Sequence, residues 1–341
     1  MVAISVLIVN YNGEDYLQAA LDSLRAQTFR NFEVIVVDNN STDGSADNLR
    51  ANGLPAFRLL AQDTNLGFAA GSNVGVKVAA APWVAMLNPD AEAKPDWLHE
   101  IFDGIRRHPG THMFTCAQLS LDDATLLDGA GDNYLGIGIP WRGGFGRPAR
   151  ELPEEGECFS PCGASAVFER QAYLAHGGLD ERFFCYCEDV DLGYRMRLAG
   201  ERCIFLPRAV ISHAGSGITG RSSDFALFHG TRNRLWTYAK NTPWPLMVLT
   251  LPGHVAMTLT ILLRSATKGH ARPVWRGLMA GLAGIGRIRA NRAYGPPVRT
   301  ISLADLMRIM AWNPMELLGR HVVVKPLDES EAPAMLEVVR S

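Results

Sequence analysis

The sequence predicts an α/β fold: a mostly parallel sheet covered by helices, followed by a helical, basic C-terminal appendage. Three observations lead there. Apolar β-rich runs alternate with amphipathic helical segments through the first hundred or so residues. Polar clusters stand directly after those runs, where ligands bind in open parallel sheets. Finally, no Asp or Glu occurs between Asp224 and Asp305, whereas Arg232, Arg234, Lys240, Arg264, Lys268, Arg272, Arg276, Arg287, Arg289, Arg292 and Arg299 all fall there. That asymmetry predicts an anionic partner for the tail region.

The elements follow in order. Residues 5–9 form an unbroken apolar run, then 14–27 place Tyr16, Leu17, Leu21 and Leu24 on one helical face. Residues 32–37 make a second buried strand and 58–61 a weaker third. Residues 68–80 read as a helix, 83–87 as a fourth strand, and 95–108 as a helix with Pro95 in its first turn and Pro109-Gly110 beyond its end. Residues 122–157, rich in glycine and containing Trp141-Arg142-Gly143-Gly144, read as a loop-rich hairpin region. A strand over 159–168, a helix over 189–199, short strands over 203–206 and 210–213 and a helix over 225–240 complete the catalytic part. Pro243-Trp244-Pro245 marks a boundary, which divides the chain into a catalytic domain (1–243, with halves 1–110 and 111–243) and a C-terminal region (244–341).

Composition sets limits. With 341 residues, 47% of them apolar and 20% charged, the chain can bury a substantial core. A mean hydropathy near zero argues against a polytopic membrane protein. The opening MVAISVLIVNYNG lacks a basic n-region and reads as a buried strand, so the catalytic part is expected in the cytoplasm. Among six cysteines, Cys158-x3-Cys162 and Cys185-x-Cys187 lack the partner spacing of a zinc ribbon, and Cys185 and Cys187 alternate with aromatics, as fillers of an apolar strand or loop do.

The polar clusters carry the chemistry. Asn10-Tyr11-Asn12-Gly13 holds a single glycine, which excludes the glycine triplet of a nicotinamide-binding turn. Asp38 can accept hydrogen bonds from a ribose or base, although VVDNNSTDGS also suits a helix-capping turn. Asp90 in Asn88-Pro89-Asp90 follows a buried strand, where a carboxylate needs a partner or a divalent metal; an N-cap is the alternative. Glu188, Asp189 and Asp191 open a helix behind Phe183, Phe184 and Tyr186, which fits either capping or a general base. His213, ending a strand before Ala214-Gly215-Ser216-Gly217, is a candidate metal or phosphate contact, and Arg232 and Arg234 are candidate phosphate clamps or a solvated face.

Together SVLIVNYN, VVDNNSTDGS, NLGFAAGSNVG, LNPD, DERFFCYCEDVDLGYR and RN-x2-W, in order over about residues 3–245, resemble the family two glycosyltransferases, most closely their rhamnosyltransferase-like branch. The resemblance implies an inverting transferase of GT-A fold with Mg²⁺ or Mn²⁺ as cofactor. It implies that Asn10, Tyr11, Asn12 and Asp38 hold base and ribose, and that Asn65, Gly67, Gly71 and Asn73 line the donor ribose and sugar. Asp90 would bind the metal, His213 would approach the metal or the diphosphate, Arg232 would hold the phosphates and Asn88 would join the nucleotide-sugar site, while Asp189 would be the base, with Glu188 and Asp191 supporting the acceptor or the local structure. Where the wider family often has a carboxylate, this chain has Asn88, as its rhamnosyltransferase-like branch commonly does. The absence of QxxRW and of a set of spanning helices predicts a single addition rather than processive synthesis.

The expected reaction moves one sugar, dTDP-rhamnose being the favoured donor, to a hydroxyl of a polyprenyl-diphosphate-linked glycan at the inner face of the cell membrane. A sugar-phosphate nucleotidyltransferase would want a basic glycine-rich first loop, and a silent glycan- or lipid-binding protein would not need Asp90 and Asp189. No nucleic acid is expected as a partner. The apolar stretch 246–263 is marginal for spanning; with Arg264, Lys268, Arg272 and Arg276 aligned on one continuing helix face it would dock on an anionic leaflet. The competing reading is a helical hairpin packed on the catalytic domain or in a homodimer interface.

Overall fold

The computed structural model describes residues 2–47, 49–215, 223–290, 294 and 299–327. Strands β1 (Ile4–Asn10), β2 (Phe32–Asp38), β3 (Phe57–Ala61) and β4 (Trp83–Met86) alternate with helices α1 (Glu14–Arg25) and α2 (Gly67–Val78). Strands β1 and β2 are buried at every position, as both faces of their sheet are covered. After β5 (Ala91–Ala93) and α3 (Trp97–Arg107), the chain forms β6 (Met113–Ser120), β7 (Leu127–Ala130), the hairpin β8 (Asp132–Leu135) and β9 (Ile139–Arg142), then β10 (Gly156–Cys158) and β11 (Ala166–Glu169). Helices α4 (Arg170–Ala175) and α5 (Glu188–Leu198) precede β12 (Cys203–His213) and α6 (Asp224–Asn241).

The large sheet has the order β10-β12-β6-β11-β4-β1-β2-β3, with β5 on β12 and β7 on β6. The pairs β1–β2, β1–β4, β2–β3 and β6–β12 are parallel, and β11 runs antiparallel between β4 and β6. Strands β1, β2, β4, β6 and β12 therefore point the same way. Their carboxyl ends bring Asn10, Asp38, Asn88 and His213 to one edge.

Three expectations change. The strand foreseen over 159–168 is confined to β11, preceded by a 3₁₀ turn over Gly163–Ser165. Pro161 has no amide hydrogen, and Gly163 donates its own to the Asp189 carboxylate at 2.7 Å instead of to a ladder. The two short strands foreseen at 203–213 are one strand with an irregularity between Leu206 and Val210, around Pro207.

The third change concerns the tail. Helix α7 (Trp244–Thr267) stops before Gly269, whose φ of +77° turns the chain into α8 (Ala271–Ala290). Arg264 thus lies on one helix and Arg272 and Arg276 on the next, so the four basic residues do not share one continuous face. Helix α8 packs closely along α6: a Cβ on Gly277 would meet the Phe228 carbonyl at 2.5 Å. Helix α7 nevertheless leaves Trp244, Val248, Leu249, Leu251, Val255, Leu259 and Leu263 exposed. Beyond them α9 (Leu303–Ile309) and α10 (Pro314–Leu318) follow, and the segment returns to the catalytic core. Leu306 and Ile309 pack with Tyr134, Phe159 and Tyr194, and Lys325 bridges to Glu157. Ser216 and Gly217 of the glycine-rich turn, and Arg292, lie outside the described residues.

Candidate active site

The loops after β1 and β2 are sewn together by short polar side chains. The Asn10 amide donates to Asp38 at 2.8 Å and to the Ser41 and Ser45 hydroxyls at 3.0 Å each. Asp38 also accepts from the Ser41 hydroxyl and amide, and Asn12 accepts from the Thr42 amide. Asn10, Asn12 and Asp38 thus shape the first loop, while Tyr11 and Asn39 face the cavity beside it. Asn65 caps Gly67 N–H at 2.9 Å, and both line the same space. Gly67, with φ of +79°, lies so close to Phe184 that a Cβ would stand 2.6 Å from its ring.

Two residues expected to line the donor are elsewhere. Gly71 lies against β1, where a Cβ would meet Val9 at 2.7 Å. Asn73 is fully engaged: it donates to Leu179 O and Glu181 and accepts from Tyr173 Oη and Leu179 N. It ties α2 to the segment before α5 rather than facing the cavity.

The cavity, about 480 Å³, opens at the carboxyl edge of the sheet. On one wall Asp90 Oδ1 lies 3.2 Å from His213 Nε2, which is also 3.2 Å from Asn88 Nδ2. His213 Nδ1 is 2.6 Å from Asp128, which in turn accepts from Arg142 at 2.6 Å. Burial pushes the His213 imidazolium down, but the hydrogen bonds to Asp128 and Asp90 outweigh it and raise its pKa. A carboxylate behind Nδ1 leaves Nε2 directed at Asp90, so an oxygen and an imidazole nitrogen converge as a divalent metal requires. The residues fit such an ion.

On the other wall the acidic residues at the start of α5 divide by role. Asp191 is fully buried and bound to Arg195, Lys240 and Asn241, so it supports the fold. Glu188 and Asp189 both face the cavity. Burial and the neighbouring Asp189 charge drive Glu188 well above the usual carboxylate range. Asp189 is also raised by burial, yet it receives amide hydrogens from Gly163 at 2.7 Å and Val190 at 2.8 Å. Those donors favour its anion. The carboxylate oxygens of Asp132 and Asp189 and the Cys162 sulfur lie within 4.8 Å of one another.

Arg232 does not face the cavity. It stacks over Trp236 and donates to the carbonyls of Arg182 and Phe183, while Asn233 donates to those of Phe183, Cys185 and Tyr186. The pair fastens the turn leading into α5. Arg234, two positions on, reaches the cavity instead. Sequence reasoning also missed Asp128, Asp132 and Arg142 as site residues, since they stand in short irregular strands where no periodicity marks a face.

A cavity at the carboxyl ends of parallel strands that gathers the Asp90–His213 pair and the backbone-bonded Asp189 carboxylate suits the transfer of a nucleotide-activated group. Residues 5–175 match the model of glycosyl transferase family 2, and the chain belongs to that family. It is similar to the N-acetylglucosaminyl-diphospho-decaprenol L-rhamnosyltransferase of Mycobacterium tuberculosis, 28% identical over 294 residues that cover 78% of this chain and 95% of the relative. The amylovoran biosynthesis glycosyltransferase AmsB of Erwinia amylovora is 25% identical over 267 residues, 70% of this chain and 82% of the relative. Among solved structures, the mannosyltransferase PcManGT of Pyrobaculum calidifontis, in complex with GDP-Man and Mn²⁺, superposes with a TM-score of 0.54 at 17% identity, covering 84% of this chain and 86% of that one. GalNAc-T7 with UDP, GalNAc and Mn²⁺ gives 0.53 at 16% identity over 70% of this chain and 50% of that one. The fold is of the GT-A type, and the protein is a glycosyltransferase that uses a nucleotide-sugar donor.

Proposed function

We propose that the enzyme transfers one L-rhamnose from dTDP-rhamnose to a hydroxyl of a glycan carried on a polyprenyl diphosphate, with inversion. The observation that carries this reading is the cavity in which the Asp189 carboxylate and the Asp90–His213 pair face one space. The choice of sugar and acceptor is supported by likeness to the mycobacterial rhamnosyltransferase over most of both chains.

Asp189 takes the proton of the acceptor hydroxyl, whose oxygen attacks the anomeric carbon as the bond to the diphosphate breaks and dTDP departs. Gly163 N–H and Val190 N–H hold the carboxylate in place before the proton arrives. Asn10, Asn12 and Asp38 keep the nucleotide loop in shape, and Tyr11, Asn39 and Asn65 present side chains to the donor. Asp90 and His213 would hold Mg²⁺ or Mn²⁺, which supplies positive charge for the departing diphosphate.

Docking on the inner leaflet brings the lipid-linked acceptor to the site. Helix α7 has a mean hydropathy of 1.9 over its most apolar window, of which only 17% is buried, and Arg264 and Lys268 stand at its end. The test is a panel of nucleotide sugars with a prenyl-diphosphate-linked N-acetylglucosamine acceptor and Mn²⁺. dTDP-rhamnose should yield dTDP and a singly extended product. Turnover of UDP-hexoses or UDP-galactofuranose in its place would overturn the assignment of the sugar.

A further inference from the structure

Two guanidinium groups reach the cavity, and they keep different company. Arg142 is bound to Asp128, with Asp132 and Asp189 nearby. Arg234 is 7% exposed, donates to the Thr258 hydroxyl at 3.3 Å and leaves its Nε without a partner. Among the described residues no carboxylate lies within ion-pairing distance of it. Burial pushes Arg234 down to about 10, so it remains a cation at neutral pH. The titratable groups beside it are the Cys187 thiol and the Tyr134 phenol, both driven further up by burial, and the His254 imidazole, driven down to about 4 chiefly by burial, so none of them supplies a counter-charge. A buried cation without a counter-charge is costly, and an anion that arrives in function accounts for its retention. The planar fork of arginine matches phosphate oxygens.

Two diphosphates take part in the proposed reaction, and the position of Arg234 distinguishes them. The donor side is built from the ends of β1, β2, β4 and β12. Arg234 belongs to α6, its hydrogen-bond partner to α7, and its neighbours Tyr134 and Cys187 to β8 and the approach to α5. Helix α7 carries Leu251, Val255 and Leu259 at four-residue spacing, all exposed. Next to the cation there is thus an apolar row suited to an aliphatic chain.

We infer that Arg234 is the subsite for the diphosphate of a prenyl-diphosphate-linked acceptor, whose hydrocarbon chain lies along α7. This rests on the transfer reaction proposed above, but it can fail separately. Binding of three probes to the full-length protein in detergent tests it by calorimetry: geranylgeranyl diphosphate, geranylgeraniol and dTDP. Arg234→Gln should weaken geranylgeranyl diphosphate by about 10- to 100-fold and leave geranylgeraniol and dTDP within about twofold. Arg234→Lys keeps the charge without the fork, so it should weaken the prenyl diphosphate by less; this variant also serves if the glutamine variant does not fold. Equal loss of dTDP binding would move Arg234 to the donor site, and unchanged prenyl diphosphate binding would remove the subsite; either overturns the inference. If wild type fails to use dTDP-rhamnose while prenyl diphosphate binding still depends on Arg234, the sugar assignment falls and the subsite stands.

Discussion

Replacing Asn233 should disable the enzyme although its side chain does not itself line the cavity. The turn before α5 holds three non-glycine residues at positive φ: Phe184 (67°), Tyr186 (73°) and Cys187 (64°). Each costs about 1–2 kcal/mol, so the turn stores roughly 3–6 kcal/mol that its surroundings must offset. Asn233, fully buried, offsets much of it by donating to the carbonyls of Phe183 (2.9 Å), Cys185 (2.8 Å) and Tyr186 (2.7 Å). Asn233→Ala strands these acceptors, at about 1–3 kcal/mol for each one that water does not reach. We expect a loss of about 3 kcal/mol and a melting temperature lower by about 6–10 °C. Because Asp189 lies two residues beyond Cys187, kcat should fall about 100-fold through misplacement of the base, while the dTDP dissociation constant changes by less than about twofold. Asn233→Asp should be worse than Ala, since it aims a carboxylate at three carbonyl oxygens. Thermal denaturation and single-turnover transfer measure both effects. An Asn233→Ala protein with wild-type melting and kcat would show that Asn233 does not hold the turn or place Asp189.

Other outcomes follow from the same geometry. Asp90→Ala should abolish Mn²⁺-dependent binding of dTDP, and Asp128→Asn should weaken Mn²⁺ by about 10- to 100-fold through loss of the bond that orients His213; calorimetry reads both. Glu155 accepts from Arg107 and His108, and these bonds outweigh burial to hold its pKa at about 2, below the ordinary 4.5. Its contribution is therefore fully present above pH 4.5 and lost as pH falls toward 2, so Glu155→Gln should be less stable than wild type at pH 7, with the gap closing at low pH in urea titrations. The wild-type protein should float with anionic vesicles and less so at high salt, whereas Val255→Glu with Leu259→Glu should stay behind without a change in melting temperature.

Much of this was legible in the sequence. Continuous apolar runs at 5–9 and 32–37 marked β1 and β2 because both faces of a parallel sheet are dry. Asp90, Asp189 and His213 stood out because they fall within motifs that resemble a family in order and spacing; taken singly, each also suited a helix cap or a packed side chain. The division of labour within each cluster was hidden. Asp38 and Asn10 bond one another and so build a loop rather than offering their groups freely, and Asn73 is spent on contacts with residues about a hundred positions away. Which of Arg232 and Arg234 faces the cavity depends on helix phase, since neighbours two apart point to different sides. Asp128 and Arg142 become meaningful only when β7 and β9 place them behind His213. The tail was half legible: its apolar, acid-free composition was plain, but the turn at Gly269 and the return of residues 299–327 to the core needed tertiary contacts.

A single-turnover comparison of wild type with Asp189→Asn tests most directly the proposal that this glycosyltransferase uses Asp189 as the base for rhamnosyl transfer. dTDP-rhamnose and the lipid-linked acceptor are mixed at saturating Mn²⁺, and dTDP affinity is measured in parallel. The amide preserves shape and removes the base, so transfer should slow by about 10²–10⁴-fold with dTDP binding unchanged. In wild type, transfer should rise with pH through the raised pKa of Asp189 as the carboxylate ionises, and the variant should lose that rise. Transfer by Asp189→Asn at the wild-type rate, with the same pH dependence, would rule out Asp189 as the base.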